Sequence, residues 1–166
     1  MNAGAAAARG EILLFLHADT HLPRGFAAAA REALARDRVA AGAFTFALEP
    51  RSPALRVIEI GANLRSRWLE LPYGDQALFL RAALFERIGG FPAIPVMEDV
   101  ALIRKLRRRG RVVTRPEVAV TSARRWLAQG AWRTTLAHQA ALAAYALGVP
   151  TAAIARWLGR ASDSKK

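Results

Sequence analysis

The chain has 166 residues, no cysteine and 53% hydrophobic side chains, enough for one domain with a proper core. This composition excludes a disordered chain, and the missing cysteine excludes disulfides, thiolate metal sites and cysteine nucleophiles. The formal net charge is +12, but arginine is scattered along most of the chain and no aromatic-basic recognition motif stands out. No nucleic acid is therefore expected; phosphates on a nucleotide or a membrane surface suit this field better.

Residues 1–10 are small, carry one Arg and read as the second half of a helix ending at Gly10. They hold no apolar core of a secretory signal, so a cytoplasmic location is expected, with the inner face of the plasma membrane as a peripheral station. Ile12 to Leu16 is a run of five apolar residues, the pattern of a parallel strand buried on both faces. It ends in His17-Ala18-Asp19-Thr20. Side chains two apart on an extended segment point the same way, which puts His17 and Asp19 together at the carboxyl end of the strand. Ligands bind at that edge in open α/β sheets. Asp19 there either holds a divalent cation against a phosphate or caps the next helix.

Pro23 stands near a helix start, and Phe26 to Ala35 is rich in helix-forming Ala. Ala43 to Leu48 alternates as a strand, and residues 54–70 read as a helix with Leu55, Ile58 and Ala62 on one side. Leu71 to Gln76 is a polar turn before a short strand, Ala77 to Leu80. A helical turn, Ala82 to Ile88, is broken by Gly89-Gly90. Glu98-Asp99 open a helix with Val100, Ile103 and Leu106 on one face, closed by the basic run Arg104 to Arg109. Short strands surround Pro116, and two helices broken near Gly148-Val149-Pro150 follow from Trp126. Their aromatic residues either pack on the core or lie on a membrane. The apolar stretch 140–155 contains Gly and Pro and is too short to span a bilayer comfortably.

Three acidic spots fall at strand ends or helix starts: Asp19, Asp75 and Glu98-Asp99. A carboxylate in the first turn of a helix is favoured by the helix dipole. It either serves as a general base facing a pocket or sits there for the dipole alone. Asp75 and Gln76 suit the binding of sugar or acceptor hydroxyls, or are plain turn residues.

The succession Leu-His-Ala-Asp, then Arg81 to Phe91 reading Arg-Ala-Ala-Leu-Phe-Glu-Arg-Ile-Gly-Gly-Phe, then Met97-Glu98-Asp99-Val100 and its helix, resembles the family 2 glycosyltransferases. The likeness runs from Asn2 to about Trp126. It implies an α/β fold of the GT-A type, a Rossmann-like mixed sheet flanked by helices, with C-terminal helices. It further implies a nucleotide-diphosphate sugar as donor, an unknown acceptor hydroxyl, and Mn²⁺ or Mg²⁺ as cofactor. Asp19 matches the metal-binding Asp of the family's Asp-x-Asp element, and Asp99, beside Glu98, matches its catalytic base. Leu-His-Ala-Asp-Thr, Tyr-Gly-Asp-Gln and Thr-Ser-Ala-Arg-Arg-Trp look like one bacterial branch of uncertain substrate.

The chain departs from the family pattern in three places. His17 replaces the first Asp of the metal element and so contributes to donor binding rather than charge. Ser122 stands where processive members carry Gln in Gln-x-x-Arg-Trp; Arg124, Arg125 and Trp126 remain as donor or acceptor contacts, with guanidinium groups suited to diphosphate oxygens. The strand, helix and strand that form the family's nucleotide-base pocket, about 60 residues, are not matched before Met1. The expected organisation is an N-terminally incomplete catalytic domain over residues 1–125, a helical extension over 126–160 and a disordered tail over 161–166. The rival from another class is a non-catalytic remnant that binds an anionic membrane surface. A phosphatase of the Asp-x-Asp-x-Thr type is set aside because His17 occupies its nucleophile position.

Overall fold

A computed structural model describes residues 1–159; the expected tail over 161–166 lies outside them. The fold is mixed α/β. Five strands form one sheet in the order β1-β4-β3-β5-β2, built from β1 (Ile12–Phe15), β2 (Thr20–His21), β3 (Val39–Glu49), β4 (Leu78–Arg81) and β5 (Arg111–Ser122). Only β3 and β5 run parallel; the remaining pairs are antiparallel.

Helices cover both faces. Along β4, Leu78 and Leu80 face one way and join Leu13, Phe15, Leu102, Ile103 and Leu106. Phe79 faces the other way and joins Phe44, Ala119 and the small side chains Ala29, Ala30 and Ala33 of α2 (Phe26–Ala35). This is the two-fold alternation of a strand buried on both sides. Gly42 of β3 stands opposite Phe79, and a Cβ there would come within 2.4 Å of the ring. The glycine is what lets the phenyl group cross the strand.

α3 (Pro53–Trp68) starts where Ser52 accepts a hydrogen bond from Leu55 N at 3.3 Å, with Pro53 in the first turn. Its inner side does the work of a missing strand. Asn63 bonds both the N–H and the carbonyl of Phe46 at 2.8 and 2.9 Å, and Glu59 accepts from Leu48 N at 2.7 Å. β4 pairs with β3 only at Ala41 and Gly42. The α3 side chains therefore satisfy backbone groups further along β3 that would otherwise be buried without partners.

α4 (Ala82–Arg87) ends in Gly89-Gly90, both at positive φ, a conformation that suits glycine. The turn drops Phe91 onto Phe15, with centroids 4.9 Å apart and rings nearly perpendicular. Lys105 of α5 (Glu98–Arg107) donates to Ile88 O and Gly90 O, fixing this turn beside the helix. The Gly-Gly-Phe motif is thus a packing device under β1.

Four expectations need correction. β1 is an edge strand paired antiparallel to β4, four residues long; Leu13 and Phe15 are buried while Ile12 and Leu14 are only partly so. Its apolar run reflects packing on both faces, not a parallel central place. The first helix, α1 (Asn2–Ala7), stops before Gly10 because Ala8 is already extended. The two strands expected around Pro116 are one strand. Its register with β3 jumps from Phe44–Arg115 to Thr45–Val118, so Pro116 and Glu117 fall in a bulge where no ladder N–H is required. The C-terminal part holds three helices, α6 (Arg124–Gln129), α7 (Ala131–Ala146) and α8 (Thr151–Trp157), because Gly130 at φ 87° breaks the first from the second. Among the described residues no helix is long and apolar enough to cross a membrane.

Candidate functional site

The carboxyl end of β1 opens into a cleft of about 170 Å³ whose polar wall is built from four distant segments, with Met1, His138 and Leu158 completing the lining. The first is the turn after β1. His17 O accepts from Thr20 N, and Asp19 O accepts from Ser122 N at 3.0 Å, holding the turn against the end of β5. The buried hydroxyls of Thr20 and Thr121 bond each other at 2.9 Å, and Thr121 Oγ1 also donates to Asp75 O at 3.1 Å.

That second bond fixes the next segment, Tyr73 to Gln76. Gln76 is fully buried. Its Oε1 accepts from Tyr73 N, and its Nε2 donates to Phe44 O and Ser66 Oγ. The amide is thus committed to the fold, which corrects the expected donor- or acceptor-binding role of Gln76. Its neighbour Asp75 does line the cleft. Gly74 carries the closest approach: a Cβ there would come within 2.8 Å of His17 Nε2. A side chain at position 74 would displace the imidazole from this place.

The third segment is the start of α5. Both oxygens of Asp99 accept backbone hydrogen bonds, Oδ2 from Gly74 N at 3.0 Å and Oδ1 from Val100 N at 2.8 Å. Each oxygen keeps a second lone pair. Met97 precedes the helix at φ 66°, and Ala77 follows the Asp75 turn at φ 51°. Left-handed backbone at residues with a side chain costs about 1–2 kcal/mol, and such strain gathers at functional sites. Here it flanks the cleft on both acidic segments.

Electrostatics single out one carboxyl. Burial pushes Asp75 up to about 6; the nearby Asp99 adds to the rise, while Arg65 and His17 oppose it. Tyr73 is raised by burial too, against the pull of Arg65, whose guanidinium stacks 3.5 Å from the Tyr73 ring centroid. Perturbed groups in a cleft mark candidate functional positions.

The fourth segment is the junction of β5 and α6. Arg124 pairs with Asp19 at 3.6 Å, both partly open to solvent. Arg125 lines the cleft directly. Trp126 is part of the core with Phe46, Leu48 and Ile58, yet borders the cleft, and its buried indole N–H has no acceptor among the described residues. His138 of α7 meets the Trp126 ring edge-on at 6.3 Å between centroids.

His17, Asp19, Asp75, Glu98, Asp99, Arg125 and Trp126 thus border one cleft, while Arg124 reaches it through Asp19 and Gln76 lies behind it. Tyr73, quoted only as part of Tyr-Gly-Asp-Gln and given no role, and His138, outside every motif, are further cleft residues. An aromatic directly before Gly-Asp was the signal for the first, and the one imidazole of α7 for the second.

Among the described residues no three His, Asp or Glu side chains are grouped to cage a metal ion. Mg²⁺ is ordinarily held by one or two carboxylates together with substrate phosphates and water. Asp19, partly exposed and paired among the described residues with an exposed arginine at 3.6 Å, fits that kind of site. The chain matches no family model and no curated protein.

Proposed function

We propose that the chain is the catalytic part of a glycosyltransferase with a GT-A type sheet. It would move a sugar from a nucleotide-diphosphate donor to an acceptor hydroxyl, with inversion at the anomeric carbon. The carrying observation is that acidic residues from three separate segments, Asp19, Asp75 and Asp99, share one cleft with Arg125. The resemblance to family 2 glycosyltransferases supplies the roles.

In this reading Asp99 takes the proton from the acceptor hydroxyl as its oxygen attacks the anomeric carbon. The bond from that carbon to the diphosphate oxygen breaks, and the nucleoside diphosphate leaves with the electron pair. Two backbone N–H groups hold Asp99 in one orientation, which suits a base that must meet a fixed hydroxyl. Asp19 would hold the divalent cation, which neutralises charge on the leaving group. Arg124 and Arg125 pair with diphosphate oxygens, Arg124 exchanging Asp19 for the ligand. Asp75, near pKa 6, changes protonation just below neutral pH and so can donate to or accept from a sugar hydroxyl. The expected place of action is cytoplasmic.

Titration calorimetry with Mn²⁺ and a panel of nucleotide sugars tests the reading. Saturable, metal-dependent binding supports it. Asp99→Ala is expected to lower transfer by about 10²–10⁴-fold while sparing donor binding. Asp19→Ala is expected to weaken donor binding in Mn²⁺ and not in chelator. Unchanged turnover in Asp99→Ala removes the base; no binding of any nucleotide sugar favours the non-catalytic alternative.

A further inference from the structure

α3 is apolar on two opposite sides. The inner side buries Leu55 and Ile58 against Phe46, Leu48 and Trp126. The outer side carries Val57, Ile60, Leu64 and Trp68, spaced three, four and four residues apart. At the helical period they fall within about 80° of arc. Their exposures are 53, 60, 42 and 79%, and Leu69, the residue just past the helix end, is exposed at 57%. Apolar residues scattered singly on a surface need no explanation, but four in register along one helix do.

The charges beside the stripe are of one sign. Arg56 and Arg67 lie exposed along one margin of it, while Glu59, the one acidic residue of α3, is buried, accepting from Leu48 N with one oxygen and from Arg56 at 3.0 Å with the other, so that Arg56 has to exchange Glu59 for a lipid phosphate. A second copy of the chain fits this face poorly, because each copy carries +12 and the facing arginines repel. An anionic bilayer fits both features. A helix with Trp and Leu on one face and Arg at its margins lies in the lipid interface, its guanidinium groups reaching the headgroups.

We propose that the outer face of α3 seats on an anionic lipid surface. Val57, Ile60, Leu64 and Trp68 enter the acyl boundary, and Arg56 and Arg67 meet the lipid phosphates. This surface does not depend on the catalytic reading, and none of its residues borders the cleft.

Co-sedimentation with vesicles of phosphatidylcholine, with and without phosphatidylglycerol, tests it. The parent is expected to pellet with the anionic vesicles and to remain largely in solution with the neutral ones. Ile60→Ser, Leu64→Ser and Trp68→Ser combined is expected to lose binding about a hundredfold, from the apolar area no longer buried. Arg56→Gln with Arg67→Gln is expected to lose about thirtyfold on anionic vesicles only. As a readout needing no destabilising change, brominated lipid should quench the parent's tryptophan fluorescence and quench Trp68→Phe much less. A parent that stays in the supernatant with anionic vesicles overturns the proposal. So does undiminished binding of the triple variant, or equal quenching in Trp68→Phe. Concentration-dependent dimerisation abolished by the triple variant, without vesicle binding, would assign the face to a second copy instead.

Discussion

Replacing Asp75 by Asn removes the one strongly perturbed carboxyl of the cleft. Its rise from 3.8 to about 6 has burial as its main cause. A carboxyl raised in this way binds its proton more tightly in the folded chain than in the unfolded one. Its contribution to stability is therefore complete below the unfolded value and is lost as pH rises through the folded value. The shift of roughly two units corresponds to about 3 kcal/mol at 1.36 kcal/mol per unit, reduced to about 1–3 kcal/mol by water on the open side of the cleft. Asn cannot ionise and escapes this loss. Urea midpoints of parent and Asp75→Asn, measured in chelator from about pH 4 to about pH 8, give the difference directly, and effects common to both chains cancel. The variant should gain on the parent by that amount between about pH 4 and pH 7 and hold the gain above it. A difference that is flat with pH, or that shrinks as pH rises, would refute the assignment of burial as the dominant cause.

Two further substitutions separate fold from site. Gly42→Ala forces a methyl group into the fully buried Phe79 ring and should cost about 1–3 kcal/mol of stability by thermal or urea unfolding; an unchanged midpoint would mean the strands move apart freely. Gln76→Ala strands the N–H of Tyr73, the carbonyl of Phe44 and the hydroxyl of Ser66. It should destabilise by about 2–4 kcal/mol, with any loss of ligand binding recovered at lower temperature, as befits a residue outside the cleft.

Sequence pattern foretold the elements whose signals are local. α2 spans Phe26–Ala35, the range expected from its alanines, and α5 begins at Glu98 as its acidic first turn implied. β1 was the instructive miss. An apolar run tells that both faces of a strand are covered, but not how many neighbours it has or in which direction they run. Gln76 and Asp75 show the same boundary at the site. Both are polar residues in one turn, and only the three-dimensional path of β3 and α3 decides that one side chain is spent inside the fold. The other is left in the cleft. The outer stripe of α3 was hidden for the opposite reason. Leu55 and Ile58 identify the helix face toward the core, and no rule of periodicity says that the face behind it is polar.

The hydroxyl pair of Thr20 and Thr121 joins residues 101 positions apart. Closing a loop of that length costs about 4 kcal/mol in chain entropy before any contact rewards it. α2, α4 and α5 form from neighbours along the chain and need no such closure. The cleft wall thus needs long-range partners: the Asp75 turn and the start of α5 meet through Gly74 N and Asp99 across 25 residues, but the Asp19 turn is held in place by the end of β5. A chain cut short of Ser122 lacks the strand end that holds the Asp19 turn, so the complete cleft requires the closure of this long loop and cannot be built from local contacts alone.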